Sequence, residues 1–239
     1  MNILFFLAAF ASEVIGTMAG FGSSTVFLPL ALLFVDFQIA LVLVAFLHIF
    51  GNIGRISFFR HGLDKALIIK FGIPSVILTI IGALLVSHIP QDILKGLLGI
   101  FLIAYASYSL WKENFSVSPT TTNAIIGGGL SGFLAGLIGT GGALRGAFLT
   151  GFKLSKEKYI ATAAAIALAV DLTRIPVYIS EGFLKSEYYW YLPILLVIAF
   201  AGSFTGKIIV KRIPQKQFRK FVLIAIFLIG IKFVYDWFI

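Results

Sequence analysis

The run Gly139-Thr140-Gly141-Gly142, with Arg145 three residues beyond it, places free peptide amides and a guanidinium at the head of a short apolar segment. That combination suits an anion: amides at a helix start lack intrahelical acceptors, the positive end of the helix dipole lies there, and arginine adds a full charge. Gly22-Ser23-Ser24 offers a second set of amides, with two hydroxyls, near the start of the chain. Both runs interrupt long apolar stretches, and unpaired peptide groups cost several kcal/mol in lipid, so such breaks belong where backbone is buried in protein or lines a polar cavity. The plainer alternatives are that the glycines serve only close helix packing and that Arg145 snorkels to the headgroups.

A second constellation is polar and recurs. Asn52 and Arg55 stand three apart, as do Asp171 and Arg174, so each pair shares one helix face. Arg55 and Arg174 are candidates for attracting or gating an anion at the two ends of a path, with Asn52 and Asp171 beside them. The simpler roles are a cytoplasmic anchor for Arg55 and a buried structural ion pair for Asp171 with Arg174. Glu13 and Asp171 are the carboxylates expected at membrane depth, which makes them candidate proton carriers. His48, one turn before Asn52, could share that face and that role, or simply make a packing hydrogen bond. The sequence has no cysteine, which excludes disulfides, thiolate chemistry and cysteine metal sites, and it points to no metal or cofactor.

The elements that must hold these residues are membrane helices. The 239-residue chain is 59% hydrophobic and 12% charged, with a mean hydropathy of +1.03. A soluble domain carries about a quarter charged residues, so lipid is the expected solvent. The net charge of +9 is confined to short stretches between apolar runs, which reads as cytoplasmic loops rather than a nucleic-acid surface. Stretches near the ~20 residues a span requires are Ile39 to Phe59, Ala66 to Ser87, Ile93 to Trp111, Tyr159 to Ser180, Tyr188 to Val210 and Phe218 to Phe238. Asn2 to Val35 and Asn123 to Phe152 are the two broken segments, each expected to be a helix, a break and a shorter helix. Trp111, Trp190 and Trp237 fall near span ends, as interfacial anchors do.

The halves are alike in order along the chain: Ala19-Gly20 with Ala135-Gly136, Arg55 with Arg174, Gly62 and Lys65 with Gly182 and Lys185, and the ten residues from Gly82 with the ten from Gly206. This predicts a duplicated unit, residues 1–113 and 122–239, joined by a polar linker at 114–121, within one integrated membrane domain. Loop charge then sets topology. If the second broken segment crossed once, Lys153, Lys156, Lys158 and the basic 211–220 loop would lie outside, against the positive-inside rule. As re-entrant hairpins, both segments put the basic loops inside and the Glu181 to Glu187 loop outside. The expected fold is therefore all-α and polytopic: two inverted repeats, each a re-entrant hairpin plus three transmembrane helices, with both termini outside. Such repeats place a substrate site near the midplane where the broken helices meet.

At the breaks the chain resembles the TauE/SafE-type sulfite exporter family, also called the toluene sulfonate uptake permeases. The first copy of the motif reads Ala19-Gly20-Phe21-Gly22-Ser23-Ser24-Thr25-Val26-Phe27-Leu28-Pro29, and the second runs from Ala135-Gly136 through Gly139-Thr140-Gly141-Gly142 to Arg145-Gly146. Two departures stand out: Ser23-Ser24 in place of glycines, and Gly146 where the second proline would fall. The resemblance implies a bacterial inner-membrane permease for sulfite, sulfonates or related small organic anions. Gly22, Ser23, Ser24, Gly139, Thr140, Gly141, Gly142 and Arg145 would then bind substrate, with protons or sodium as possible coupling ions. An anion channel is the main alternative. An intramembrane hydrolase built on Ser23 or Ser24 with His48 is weaker, for want of a recognisable nucleophile turn. Substrate, direction and oligomeric state are left open.

Overall fold

The computed structural model describes residues 3–19, 22–59, 62–112, 117–209 and 215–238, and every regular element among them is helical. Ten α-helices follow in order: α1 (Ile3–Ala19), α2 (Ser24–Ala31), α3 (Phe37–Phe58), α4 (Lys65–Leu85), α5 (Gln91–Trp111), α6 (Thr121–Ile138), α7 (Gly142–Thr150), α8 (Lys156–Ser180), α9 (Tyr191–Ile209) and α10 (Gln215–Phe238). Helices of this length satisfy their own backbone, which lipid demands. Side-chain caps mark several starts: Asp64 accepts from the Leu67 amide, Thr120 from Asn123 and Ser155 from Lys158. The six expected spans appear as α3, α4, α5, α8, α9 and α10, with ends shifted by at most three residues. Gly20 and Phe21 of the first break, Arg60, residues 113–116 of the linker, and Lys211 with Arg212 lie outside the described residues.

By length and composition, seven described helices could cross a bilayer rather than six; the addition is α6. The breaks are off-centre, so each broken segment has one long arm and one short arm. What distinguishes these segments is that they fold back. Gly16 of α1 lies against the backbone of Ser23, while the Phe5 ring packs edge-on to Phe27 at 5.2 Å and to Phe34 at 6.1 Å. In the second segment Gly141 lies against the Ser131 carbonyl, Gly127 against the Phe148 ring and Gly151 against the Val117 carbonyl, so the chain leaves α7 beside the point where it approached α6. The turns need glycine: Gly22 has φ +84° and Gly139 has φ +71°, a conformation that strains any side chain with a Cβ.

Small residues set how closely the second hairpin is held. Gly128, Gly132 and Gly136 recur every four residues along α6 and meet the carbonyls of Phe71, Ser75 and Thr79 on α4. Ser75 and Thr79 return hydroxyl hydrogen bonds to the Gly128 and Gly132 carbonyls at 2.8 and 2.9 Å. This is small-residue packing reinforced by interhelical hydrogen bonds, the usual glue between membrane helices. On the opposite side, Gly202 and Gly206 of α9 receive Glu13 and Thr17 of α1.

The packed pairs are α4 with α6 and α1 with α9, α4 with α8 and α3 with α9, and α3 with α8 and α5 with α10. This neighbour map is unchanged when the first five helices are exchanged for the last five. Helix α3 is 78% buried over its apolar window, against 28% for the spans containing α9 and α10. It therefore runs through the centre, and outer faces bearing Ile69, Ile73, Ile77, Phe204, Leu228 and similar side chains are left for lipid.

Candidate functional site

The two hairpin tips meet in the protein interior, where the Thr25 and Thr140 hydroxyls hydrogen-bond at 2.8 Å, both fully buried. Beside this contact lies a cavity of about 30 Å³, above the ~10–15 Å³ that one ordered water needs. The first hairpin contributes Gly16, Thr17 and Gly22, and the second contributes Gly142, Arg145 and Gly146. Helix α3 adds His48, Asn52 and Arg55, and the start of α8 adds Tyr159, Ile160, Ala163 and Ala164. Tyr159 and Ile160 are partly exposed and form the rim. Gly22 is the close-approach point: a Cβ there would stand 2.9 Å from His48 Nε2 and 3.9 Å from Arg145 Nη2.

Five charged residues are buried among those described: Glu13, Arg55, Arg145, Asp171 and Arg174. Four of them pair. Arg55 pairs with Glu13 through Nη2, donates from Nη1 to Asn52 Oδ1 at 2.7 Å and from Nε to Thr17 at 3.3 Å. Ser203 donates to the same Glu13 oxygen at 2.7 Å, while Glu13 Oε2 has no hydrogen-bond partner. Gly51 and Gly202 leave room for Glu13, since a Cβ on Gly51 would collide with its carboxylate and one on Gly202 with its Cβ and Cγ. Arg174 donates from Nε to Asp171 Oδ1 at 2.9 Å, and its Nη2 stands 2.8 Å from the same oxygen.

Arg174 also spans the second break. Its Nη1 donates to the carbonyls of Ala135 at 2.8 Å and Gly139 at 3.0 Å, and Tyr178 donates to the Gly136 carbonyl at 2.6 Å. Those carbonyls end α6, where intrahelical donors run out. Asp171 reaches back to the first half: Asn52 Nδ2 donates to its Oδ2 at 3.3 Å, and His48 Nδ1 lies 2.9 Å from that oxygen. The histidine contact is electrostatic rather than a well-aligned hydrogen bond, and His48 Nε2 has no partner.

Arg145 is the exception. It is 5% exposed, and no described residue accepts a hydrogen bond from it or forms a close ion pair with it. Three buried arginines against two buried carboxylates leave one uncompensated positive charge, and it faces the cavity.

Of the residues singled out from sequence, Gly22, Gly142, Arg145, Arg55, Asn52 and His48 line the cavity. Ser23, Ser24, Gly139, Thr140 and Gly141 lie at the tips without lining it, and Glu13, Asp171 and Arg174 stand behind its wall. Ser23 Oγ is buried with no partner, so no Ser23–His48 hydrogen bond exists. Sequence reasoning passed over Thr17, Tyr159, Tyr178 and Ser203. Thr17 was within reach, being one turn beyond Glu13 on the same face. The other three carry no local signal.

Two folded-back broken helices meeting at a buried, positively charged cavity inside a bundle of apolar helices have the build of a multi-pass membrane transporter. The chain belongs to the sulfite exporter TauE/SafE family, whose family model matches residues 4–233. It is similar to a probable membrane transporter protein of Methanocaldococcus jannaschii, 29% identical over 237 residues, with 89% of this chain and 86% of the relative covered. No solved structure matches. The chain is accordingly a multi-pass membrane transporter acting on a small molecule.

Proposed function

We propose that the chain is a secondary transporter for a small anion of the sulfite or sulfonate kind, working by alternating access at the cavity between the hairpin tips. The observation that carries this is the uncompensated Arg145. A buried cation without a counter-charge is costly, and a bound anion supplies that charge. Arg55 and Asn52 also line the cavity, and Gly22 and Gly142 let backbone approach an ion closely.

In the proposed orientation the two halves are inverted repeats, residues 1–113 and 122–239, sitting in a bacterial inner membrane with both termini outside. The exchangeable neighbour map and the fold-back contacts support it. The cavity rim, at the end of α3 and the start of α8, then lies on the side of Lys65, Lys153, Lys156 and Lys158, so this conformation opens to the cytoplasm. Beyond the cavity, the Thr25–Thr140 contact and the Arg174 cluster close the outer path. A potential negative inside drives an anion outward by ~2.3 kcal/mol per charge per 100 mV, so export needs no coupling ion and uptake does.

Purified protein in liposomes tests this. Labelled sulfite or thiosulfate should equilibrate across the membrane with saturation and counterflow, and Arg145→Ala should abolish the flux. Flux without saturation or counterflow would make the protein a channel, and full flux in the variant would remove Arg145 from the site.

A further inference from the structure

His48 is the cavity residue with an unused function. It is 3% exposed, its Nε2 has no hydrogen-bond partner, and that nitrogen points at Gly22 on the cavity wall, close to the Arg145 guanidinium. Its other nitrogen faces Asp171 Oδ2 at 2.9 Å, an arrangement that favours the tautomer with hydrogen on Nδ1 and directs the Nε2 lone pair toward the cavity. Asp171 is itself fixed by Arg174 and Asn52. The ring is therefore oriented by its neighbours, with a proton-accepting atom left free where a substrate would sit.

We infer that His48 is the proton-binding residue of the carrier, taking up a proton as the anion binds, so that anion and proton cross together. The inference rests on the anion-carrier reading and names its coupling ion. The charged groups around the ring explain the coupling. Asp171 on α8 sets a negative charge 2.9 Å from Nδ1, while Arg55 on α3 and Arg145 on α7 bring positive charge to the same cavity. Tyr159 on α8 faces the same cavity, and among the described residues of the first hairpin Gly16, Thr17 and Gly22 line it, with Gly22 against the ring. An anion held beside the two guanidinium groups offsets their positive charge, so a proton on the ring meets less repulsion when the anion is bound. Anion binding thus strengthens proton binding at Nε2, and by reciprocity a proton strengthens anion binding. One N–H bond forms with a proton from the open side, and nothing is oxidised or reduced. With a monovalent anion the load adds no net charge, which relieves uptake of the opposing membrane potential.

The test is calorimetry at slightly alkaline pH, where an unliganded imidazole is neutral, in two buffers of different ionisation enthalpy. The probes are thiosulfate and methanesulfonate, neither of which titrates near neutrality. Wild type should take up about one proton per anion bound, and His48→Gln close to none. Equal proton uptake in His48→Gln, or none in wild type, overturns the inference while leaving the anion site standing. Failure of wild type to bind either probe or sulfite removes the carrier reading and this inference with it. Should His48→Gln not fold, His61→Gln with His88→Gln leaves His48 as the single histidine. Its imidazole resonance should then move toward the imidazolium position on adding thiosulfate at constant pH, and an unmoved resonance refutes the assignment.

Discussion

Asn52 donates a hydrogen bond to Asp171 at 3.3 Å across 119 positions of sequence, and the two residues occupy matching places in the two halves of the chain. The polar face of each central helix, α3 and α8, therefore binds its own counterpart. Each face also carries an arginine one turn on: Arg55 engages Glu13 on the first hairpin, and Arg174 engages the carbonyls at the second break. The hairpins are thus held by charge as well as by packing.

Asp171 is the hub of that arrangement. Removing it leaves Arg174 buried without a counter-charge, which costs about 3–5 kcal/mol. Asp171→Ala should lower the thermal unfolding midpoint in detergent by many degrees, and Asp171→Asn by less because it keeps a hydrogen-bond acceptor. Unchanged midpoints in both would show that the pair does not hold the helices together.

Arg145 should behave in the opposite way. It has no close partner among the described residues to strand, so Arg145→Met should keep or raise the unfolding midpoint while costing about 2–5 kcal/mol of anion affinity, at least about thirtyfold in Kd. A fall in midpoint with affinity intact would make Arg145 a structural residue.

Glu13 neutralises Arg55 from behind the cavity wall. Glu13→Gln keeps the shape and leaves two buried positive charges uncompensated instead of one, so anion affinity should rise and stability fall. Paired calorimetry and thermal unfolding check this, and an unchanged affinity would mean that the Arg55 field does not reach the cavity.

Gly132 stands where a Cβ would come within 2.1 Å of the Ser75 carbonyl. Gly132→Val must push α6 away from α4, with an overpacking cost of about 1–3 kcal/mol and loss of the Thr79 to Gly132 hydrogen bond. Reduced yield of folded protein should follow, whereas Ile77→Val on the lipid-facing side of α4 should be tolerated.

Orientation can be read directly, since the sequence contains no cysteine. Gln217→Cys should react with impermeant maleimide only from the cytoplasmic side, and Lys185→Cys only from outside; both positions are exposed. The reverse pattern would invert the topology.

The sequence by itself determined the solvent and the segmentation. Runs as apolar as 39–59 or 218–238 have no alternative to lipid-spanning helix, because each backbone group must find its partner within the run, and glycine at 22 and 139 is the signal for a left-handed turn that no other residue takes without strain. It also put Asn52 with Arg55 and Asp171 with Arg174 on common faces, since i, i+3 spacing fixes that locally. Tertiary structure decided which charges cancel. Arg55 meets Glu13 42 positions away and Arg174 meets carbonyls 35 and 39 positions away, whereas Arg145 meets nothing close among the described residues. Those distances come from how α1, α3, α6, α7 and α8 pack, and no local spacing encodes them. Three arginines with equal claims in the sequence become two that hold the fold and one left facing the cavity, because pairing in a low-dielectric interior depends on contact and not on order along the chain.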